Sequence, residues 1–263
     1  MSINASLLIS TCDKFSDLWD THISFLRKNW VGDFWKVYMV TDRPTDKSYD
    51  GVEIIVAESG LDFPMRIRYA LDFIKTDYVL LTLDDYFLIE KAYSEKLEYL
   101  VGRAEMENID YLLLYDRRKT NPKKYSPLEK LYPIDLNQKY AVNLYPAIWC
   151  KEFLKNSVNG DLSPWLYEPT LTNYAKTKNA NCRFSHNGVF VILDVVRKGK
   201  ILHKANSYFK KHNVDIGDRP IISRFIEIKL AFMDLISWYM PKRLFKMLKK
   251  VAKACGMRFY SEG

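Results

Sequence analysis

The sequence predicts an α/β protein: a mixed, mostly parallel sheet flanked by helices. Three observations carry this. Short apolar runs alternate with stretches of helical periodicity over the first half of the chain. Several of the runs end in Thr or Asp, the polar close that strands of such sheets present at one edge. The 263 residues, 48% hydrophobic and 27% charged, are enough for one large domain with an appendage.

Taken in order, SLLIST at 6–11 is an unbroken apolar run closed by Thr11, Cys12 and Asp13, and reads as a buried strand. Residues 16–30 begin with a candidate N-cap, Ser16, and space Leu18, Trp19, Ile23, Leu26 and Trp30 as a helix does. WKVYMVTD at 35–42 is a second strand, ending in Thr41 and Asp42, and VEIIVA at 52–57 is a third. Residues 64–74 open with Pro64 and carry Ile67, Ala70, Leu71 and Ile74, a second helix. YVLLTLDDYF at 78–87 is a strand that ends in Asp84 and Asp85. A helix at 94–107 and a strand at 110–115 follow. The second half, with prolines at 122, 127, 133, 146, 164 and 169, is less regular.

Composition narrows the function classes. No GxGxxG follows the first strand and no GxxxxGK[ST] occurs, which removes the main support for dinucleotide and P-loop readings. The four cysteines, Cys12, Cys150, Cys182 and Cys255, have no zinc-site spacing and read as reduced thiols of a cytoplasmic protein. The N-terminus reads as a strand rather than a signal peptide, and no run approaches a membrane span. Residues 219–263 carry ten Lys/Arg against three Asp/Glu, so +7 of the formal +8 sits there and the body is nearly neutral. A nucleic-acid channel around the aspartates would be basic, so no nucleic-acid partner is expected.

The paired carboxylates are the centre of the functional reading. Desolvating them is costly unless they are paired or bound to a cation. A divalent cation, Mn or Mg, takes one or two carboxylates and fills its other positions with water and phosphate oxygens. It would then neutralise charge on a departing diphosphate. The plainer alternative has Asp84 capping the next segment and Asp85 paired with a lysine.

LLISTCDKFSDLW, YVLLTLDDYFL, NLYPAIWCKEFL and SPWLYE, in this order, resemble bacterial glycosyltransferases of the GT-A type that build capsule, lipopolysaccharide or other surface glycans. The resemblance spans about residues 5–205. It implies a Rossmann-like domain over 1–218 that binds a nucleotide-sugar donor, possibly a UDP-sugar, and transfers the sugar to a glycan or lipid-linked acceptor. The Asp-x-Asp motif of such enzymes is here Asp84-Asp85 without a spacer. Asp85 is matched to the metal and Asp84 to the ribose or sugar. Thr11, Asp13 and Asp42 join Asp84 at the donor, and His203 is a second candidate metal ligand. Arg68, in the first turns of its helix, is a candidate phosphate ligand.

Glu168 is the candidate general base for transfer with inversion, placed before Pro169 at a helix start, with Trp149, Trp165 and Tyr167 as an aromatic acceptor site. Its alternative is a glutamate satisfying a helix dipole. Arg197, Lys198 and Lys200 around Gly199 could close over the diphosphate, or form a solvated hairpin turn. Residues 219–263 read as helical. KRLFKMLKKVAKA at 242–254 is a basic amphipathic helix suited to an anionic membrane surface, on the inner face of the cytoplasmic membrane, or to packing on the body. A metal-dependent nuclease and a non-catalytic nucleotide or glycan binder are the rival functions.

Overall fold

The computed structural model describes residues 3–114, 130–158, 160, 162–185 and 188–228. The basic helix expected at 242–254 lies outside the described residues. By its contacts the chain divides into two compact units, residues 1–194 and 195–263, a division earlier than the expected 218/219 boundary.

In chain order the first unit runs β1 (Ala5–Ser10), α1 (Ser16–Asn29), β2 (Trp30–Val31), β3 (Val37–Thr41), β4 (Val52–Val56), α2 (Phe63–Leu71), β5 (Tyr78–Leu83), β6 (Tyr86–Leu88) and β7 (Ala92–Tyr93). It continues with α3 (Ser94–Met106), β8 (Tyr111–Leu113), β9 (Leu131–Pro133), β10 (Ala147–Cys150), α4 (Lys151–Ser157), α5 (Pro164–Thr177), β11 (Cys182–Ser185) and β12 (Ile192–Asp194). Eight strands form one sheet in the order β4-β3-β1-β5-β10-β8-β11-β9. The four strands expected at 6–11, 35–42, 52–57 and 78–83 are its parallel half, with β1 between β3 and β5. β10 runs antiparallel between β5 and β8, pairing Ala147 with Leu81 and with Leu113.

Alternation along the central strands explains the three layers. Leu8, Val40, Val79 and Leu81 face a core shared with Ile67 and Leu71 of α2, Leu154 of α4, and Tyr167 and Leu171 of α5. Leu7, Ile9, Val37, Met39 and Leu80 face the opposite core with Trp19, Ile23 and Leu26 of α1 and Leu97, Leu100 and Val101 of α3. Every residue of β1 is buried, which is why that strand reads as a continuous apolar run. Ser16 is the first residue of α1 rather than its cap, because a 3-10 turn at Asp13–Phe15 leads into it. At α2 the Asp62 carboxylate accepts from the Met65 amide at 3.3 Å, capping a helix whose Pro64 has no early N–H to satisfy.

The second unit, by itself, contains the hairpin β13 (Val196–Arg197) and β14 (Lys200–Ile201), then α6 (His203–Lys211). Ile201 bridges to Ile221, and the His203 amide donates to Glu227 at 3.2 Å. Among the described residues no helix is long and apolar enough to cross a membrane.

Candidate active site

The parallel strands deliver their polar ends to one edge. Thr11 and Cys12 follow β1, Asp42 follows β3, and Asp84 and Asp85 form the turn between β5 and β6. Asp42 accepts from the Asp13 amide at 2.6 Å, while the Asp13 carboxylate faces solvent 3.9 Å from Arg43. Burial first, then the carboxylates of Asp84 and Asp42, push the Cys12 thiol up, and Arg66 pulls it the other way. These four groups therefore share one electrostatic neighbourhood.

Arg66 is a residue the sequence reading missed. Arg68, chosen there, is exposed on α2, whereas Arg66, two positions earlier, lies on the side toward Cys12. Two helical steps turn the chain by about 200°, so the two arginines leave the helix in opposite directions. Arg66 Nη1 donates to the Leu61 carbonyl at 3.1 Å, and its buried Nε meets no acceptor among the described residues. A buried guanidinium N–H without an acceptor is costly, and an anionic ligand would satisfy it.

The two aspartates diverge. Asp84 is only 7% exposed, and its Oδ2 accepts from the hydroxyl of Thr11, which in turn accepts from Trp19 Nε1 at 2.7 Å. Thr11, itself 3% exposed, is thus spent on Asp84 and presents nothing to a donor, a correction to its expected role. Asp85 is half-buried and turns toward Tyr86. Tyr86 stacks on Tyr145 with ring centroids 5.3 Å apart and planes at 29°. It also lies opposite Asp194 in the antiparallel pairing of β6 with β12. Glu168 arrives from the neighbouring helix, its Oε1 accepting from the Leu144 amide at 3.2 Å, one residue before Tyr145. Burial, then the proximity of Tyr145, Asp85, Asp194 and Glu168, holds the Tyr86 phenol well above the ordinary tyrosine value, so it stays protonated. Three carboxylates from three elements therefore lie within electrostatic reach of one neutral phenol. Asp194 carried no signal in the sequence beyond being an acid at a strand end.

Glu168 is in the second turn of α5, not at its start, because the helix begins at Pro164. Trp149 and Tyr167 are both 0% exposed and cannot face an acceptor. Trp149 packs against Tyr111 at 4.4 Å and Phe153 at 6.2 Å in the sheet core, and the Tyr167 hydroxyl is hydrogen-bonded to Ser157 at 2.7 Å. The side chain of Trp165 lies outside the described part of the structure. Arg197, Lys198, Gly199 and Lys200 make a two-residue hairpin in which Lys198 (φ 55°) and Gly199 (φ 72°) both take the left-handed conformation that such turns require. His203 and this hairpin belong to the second unit and Asp85 to the first.

Among the described residues no group of three or more His, Cys, Asp and Glu forms a metal site. A single half-buried carboxylate at a strand end still suits a divalent cation held mainly by phosphate oxygens and water, and Asp85 is the residue that fits.

No protein-family model matches the chain, and no curated protein matches it. Among solved structures it is similar to the mannosyltransferase PcManGT of Pyrobaculum calidifontis in complex with GDP-Man and Mn2+. That likeness has a TM-score of 0.50 and 12% identity over 84% of this chain and 66% of that one. It is also similar to S. aureus TarS 1-349 (TM-score 0.48, 19% identity, 70% of this chain and 58% of that one). For TarS 1-349 in complex with UDP-GlcNAc the values are 0.49, 17%, 75% and 60%. The chain thus spans about 58% of the length of that TarS fragment. The mannosyltransferase likeness shows a common fold, and it is the fold class that the sequence resemblance implies.

Proposed function

We propose that the chain is a glycosyltransferase that moves a sugar from a nucleotide-sugar donor to an acceptor hydroxyl, with inversion at the anomeric carbon. The observation that carries this reading is the convergence of Asp85, Glu168 and Asp194 on the Tyr86–Tyr145 pair, at one edge of a sheet whose fold is that of a mannosyltransferase. The donor's diphosphate would lie near Arg66, whose buried Nε has no acceptor of its own. Asp42, at the end of β3, would meet the nucleoside. A divalent cation held by Asp85, when bound, would supply Lewis-acid stabilisation of the diphosphate.

In the transfer step the acceptor oxygen forms a bond to the anomeric carbon while the bond from that carbon to the diphosphate oxygen breaks. The electron pair leaves with the nucleoside diphosphate, and Glu168 takes the acceptor proton. The Glu168 carboxylate is oriented by the Leu144 amide, and the stacked tyrosines beside it take the place that Trp149 and Tyr167 were expected to fill. Tyr86, protonated at neutral pH, offers a hydroxyl to a sugar oxygen.

For the acceptor we infer a surface glycan or its lipid-linked precursor. Support comes from the second unit, where Phe225 is 76% and Ile228 69% exposed next to the basic C-terminal sequence, a composition suited to an anionic membrane surface. The test is a thermal-shift series with UDP and GDP, each with and without Mn2+. A bound nucleotide at a hundredfold excess over its Kd raises stability by about 2.7 kcal/mol. Donor hydrolysis is then assayed on UDP-GlcNAc and GDP-Man. No stabilisation by either nucleotide and no turnover of either sugar would sink the reading.

A further inference from the structure

We propose that α1 is a positioning element for the paired aspartates, with Trp19 holding the Asp84 carboxylate through the Thr11 hydroxyl and His22 holding the Asp84 carbonyl. Its bearing on catalysis rests on the donor-site reading above, and the contacts themselves do not.

One stripe of α1 makes all the contacts. Trp19, His22, Phe25 and Asn29 recur at helical spacing, so they share a face of the helix. Trp19 Nε1 donates to Thr11 Oγ1 at 2.7 Å, and that hydroxyl donates to Asp84 Oδ2. His22 Nδ1 meets the Asp84 carbonyl oxygen at 3.0 Å. The His22 ring also packs edge-on against Phe87 at 5.3 Å, Phe25 meets Phe87 at 5.6 Å, and Asn29 Nδ2 donates to the Leu88 carbonyl at 2.8 Å. The helix therefore holds the chain at Asp84 and again just past the turn, at Phe87 and Leu88.

The direction of the relay is fixed by chemistry. An indole N–H can only donate and a carboxylate accepts, and of the two acceptors the Thr11 hydroxyl reaches, the Cys12 carbonyl at 3.4 Å is the farther, so its single proton points to Asp84. His22 has a carbonyl as partner, so its Nδ1 carries the proton and donates. Complete burial of the imidazole, which lowers its pKa to about 4, keeps it neutral in that state. Trp19, Thr11 and His22 are 0, 3 and 2% exposed, so water does not compete for these bonds. The consequence is a division of labour: Asp84 is anchored to the helix, and Asp85 beside it is left to the Tyr86–Tyr145 side.

The test uses the full-length chain and the variants Thr11→Val, Thr11→Ser, Trp19→Phe and Asp84→Asn. Without any ligand, the indole 1H–15N resonance of Trp19 should shift in Asp84→Asn, and should not respond to that change in a Thr11→Val background. By calorimetry in Mn2+, Thr11→Val and Trp19→Phe should weaken binding of UDP or GDP, whichever the wild type binds, by about tenfold. Thr11→Ser, which keeps the hydroxyl, should stay within about threefold of wild type. A purely structural role would lower the thermal midpoint in Thr11→Ser and Thr11→Val together and leave affinity unmoved, and that result overturns the proposal. An indole resonance indifferent to Asp84→Asn overturns it as well. If the wild type binds neither nucleotide, the donor reading fails, while the resonance experiment still decides the relay.

Discussion

The sharpest consequence of the site geometry concerns Glu168→Gln. The substitution keeps the shape of the side chain and the carbonyl oxygen that accepts from the Leu144 amide at 3.2 Å, so that contact is retained. A change in stability under about 1 kcal/mol is expected, the scale of one neutral hydrogen bond. What the amide cannot do is take a proton. Loss of a positioned general base costs about 10²–10⁴ in rate, which at ~1.4 kcal/mol per tenfold is roughly 3–5 kcal/mol of transition-state stabilisation. The donor KM and the affinity for the nucleoside diphosphate should stay within about twofold, because Glu168 is assigned to the acceptor and not to the donor. The assay is sugar release or transfer from UDP-GlcNAc and GDP-Man, with nucleotide affinity measured in parallel. A rate within tenfold of wild type, or a matching loss of nucleotide binding, would refute the assignment.

Four further outcomes can be checked directly. Arg66→Ala should weaken nucleoside diphosphate binding by about ten- to a hundredfold, the worth of a charged hydrogen bond, while Arg68→Ala, on the exposed side of α2, should stay within about twofold. Trp149→Ala and Tyr167→Ala should each cost about 3–5 kcal/mol in chemical denaturation, because both side chains are fully buried; unchanged stability with lost acceptor binding would return them to the acceptor site. His22 contributes stability that is present above its unfolded pKa of 6.5 and is lost as pH falls toward its folded value of about 4. Between pH 7 and 5 this is about 2 kcal/mol, and His22→Gln should flatten that part of the wild-type stability profile by that amount. Phe225→Ser with Ile228→Ser, and separately deletion of 241–263, should reduce binding to vesicles containing anionic lipid, in a salt-sensitive way for the deleted lysines; nucleotide affinity should persist in both.

The parallel half of the sheet was legible because each of its strands is a local event. A short apolar run, closed by Thr or Asp in β1, β3 and β5, needs no partner to be recognised, and β1, β3, β4 and β5 all appear as read. The second half was not, because β10 enters the sheet antiparallel between β5 and β8, a placement set by pairing with distant residues. That placement decides the fate of Trp149. Opposite Val79 on one side and Tyr111 on the other, its ring is in the middle of the sheet, where no ligand can reach it. Residue type alone could not decide its place, since an aromatic near a proline-rich stretch serves a core and a cleft equally well. Arg66 and Arg68 stand two residues apart on α2, Arg68 in its last turn, and only the direction of the helix face separates them.

The adjacency of Asp84 and Asp85 makes sense in this light. A spaced pair on an extended chain sends both carboxylates to one face, since side chains alternate with period two. Two neighbours can part company, and here they do: one carboxylate is taken by Thr11 and the helix behind it, the other goes to the side where Tyr86, Glu168 and Asp194 gather. Burying a carboxylate is costly unless it is hydrogen-bonded, and the Thr11 hydroxyl together with Trp19 behind it offsets that cost for Asp84. A second carboxylate in the same position would have no such relay, because Thr11 has one proton to give. The unspaced pair therefore lets a single turn anchor itself through one acid and leave the other for the role proposed for Asp85.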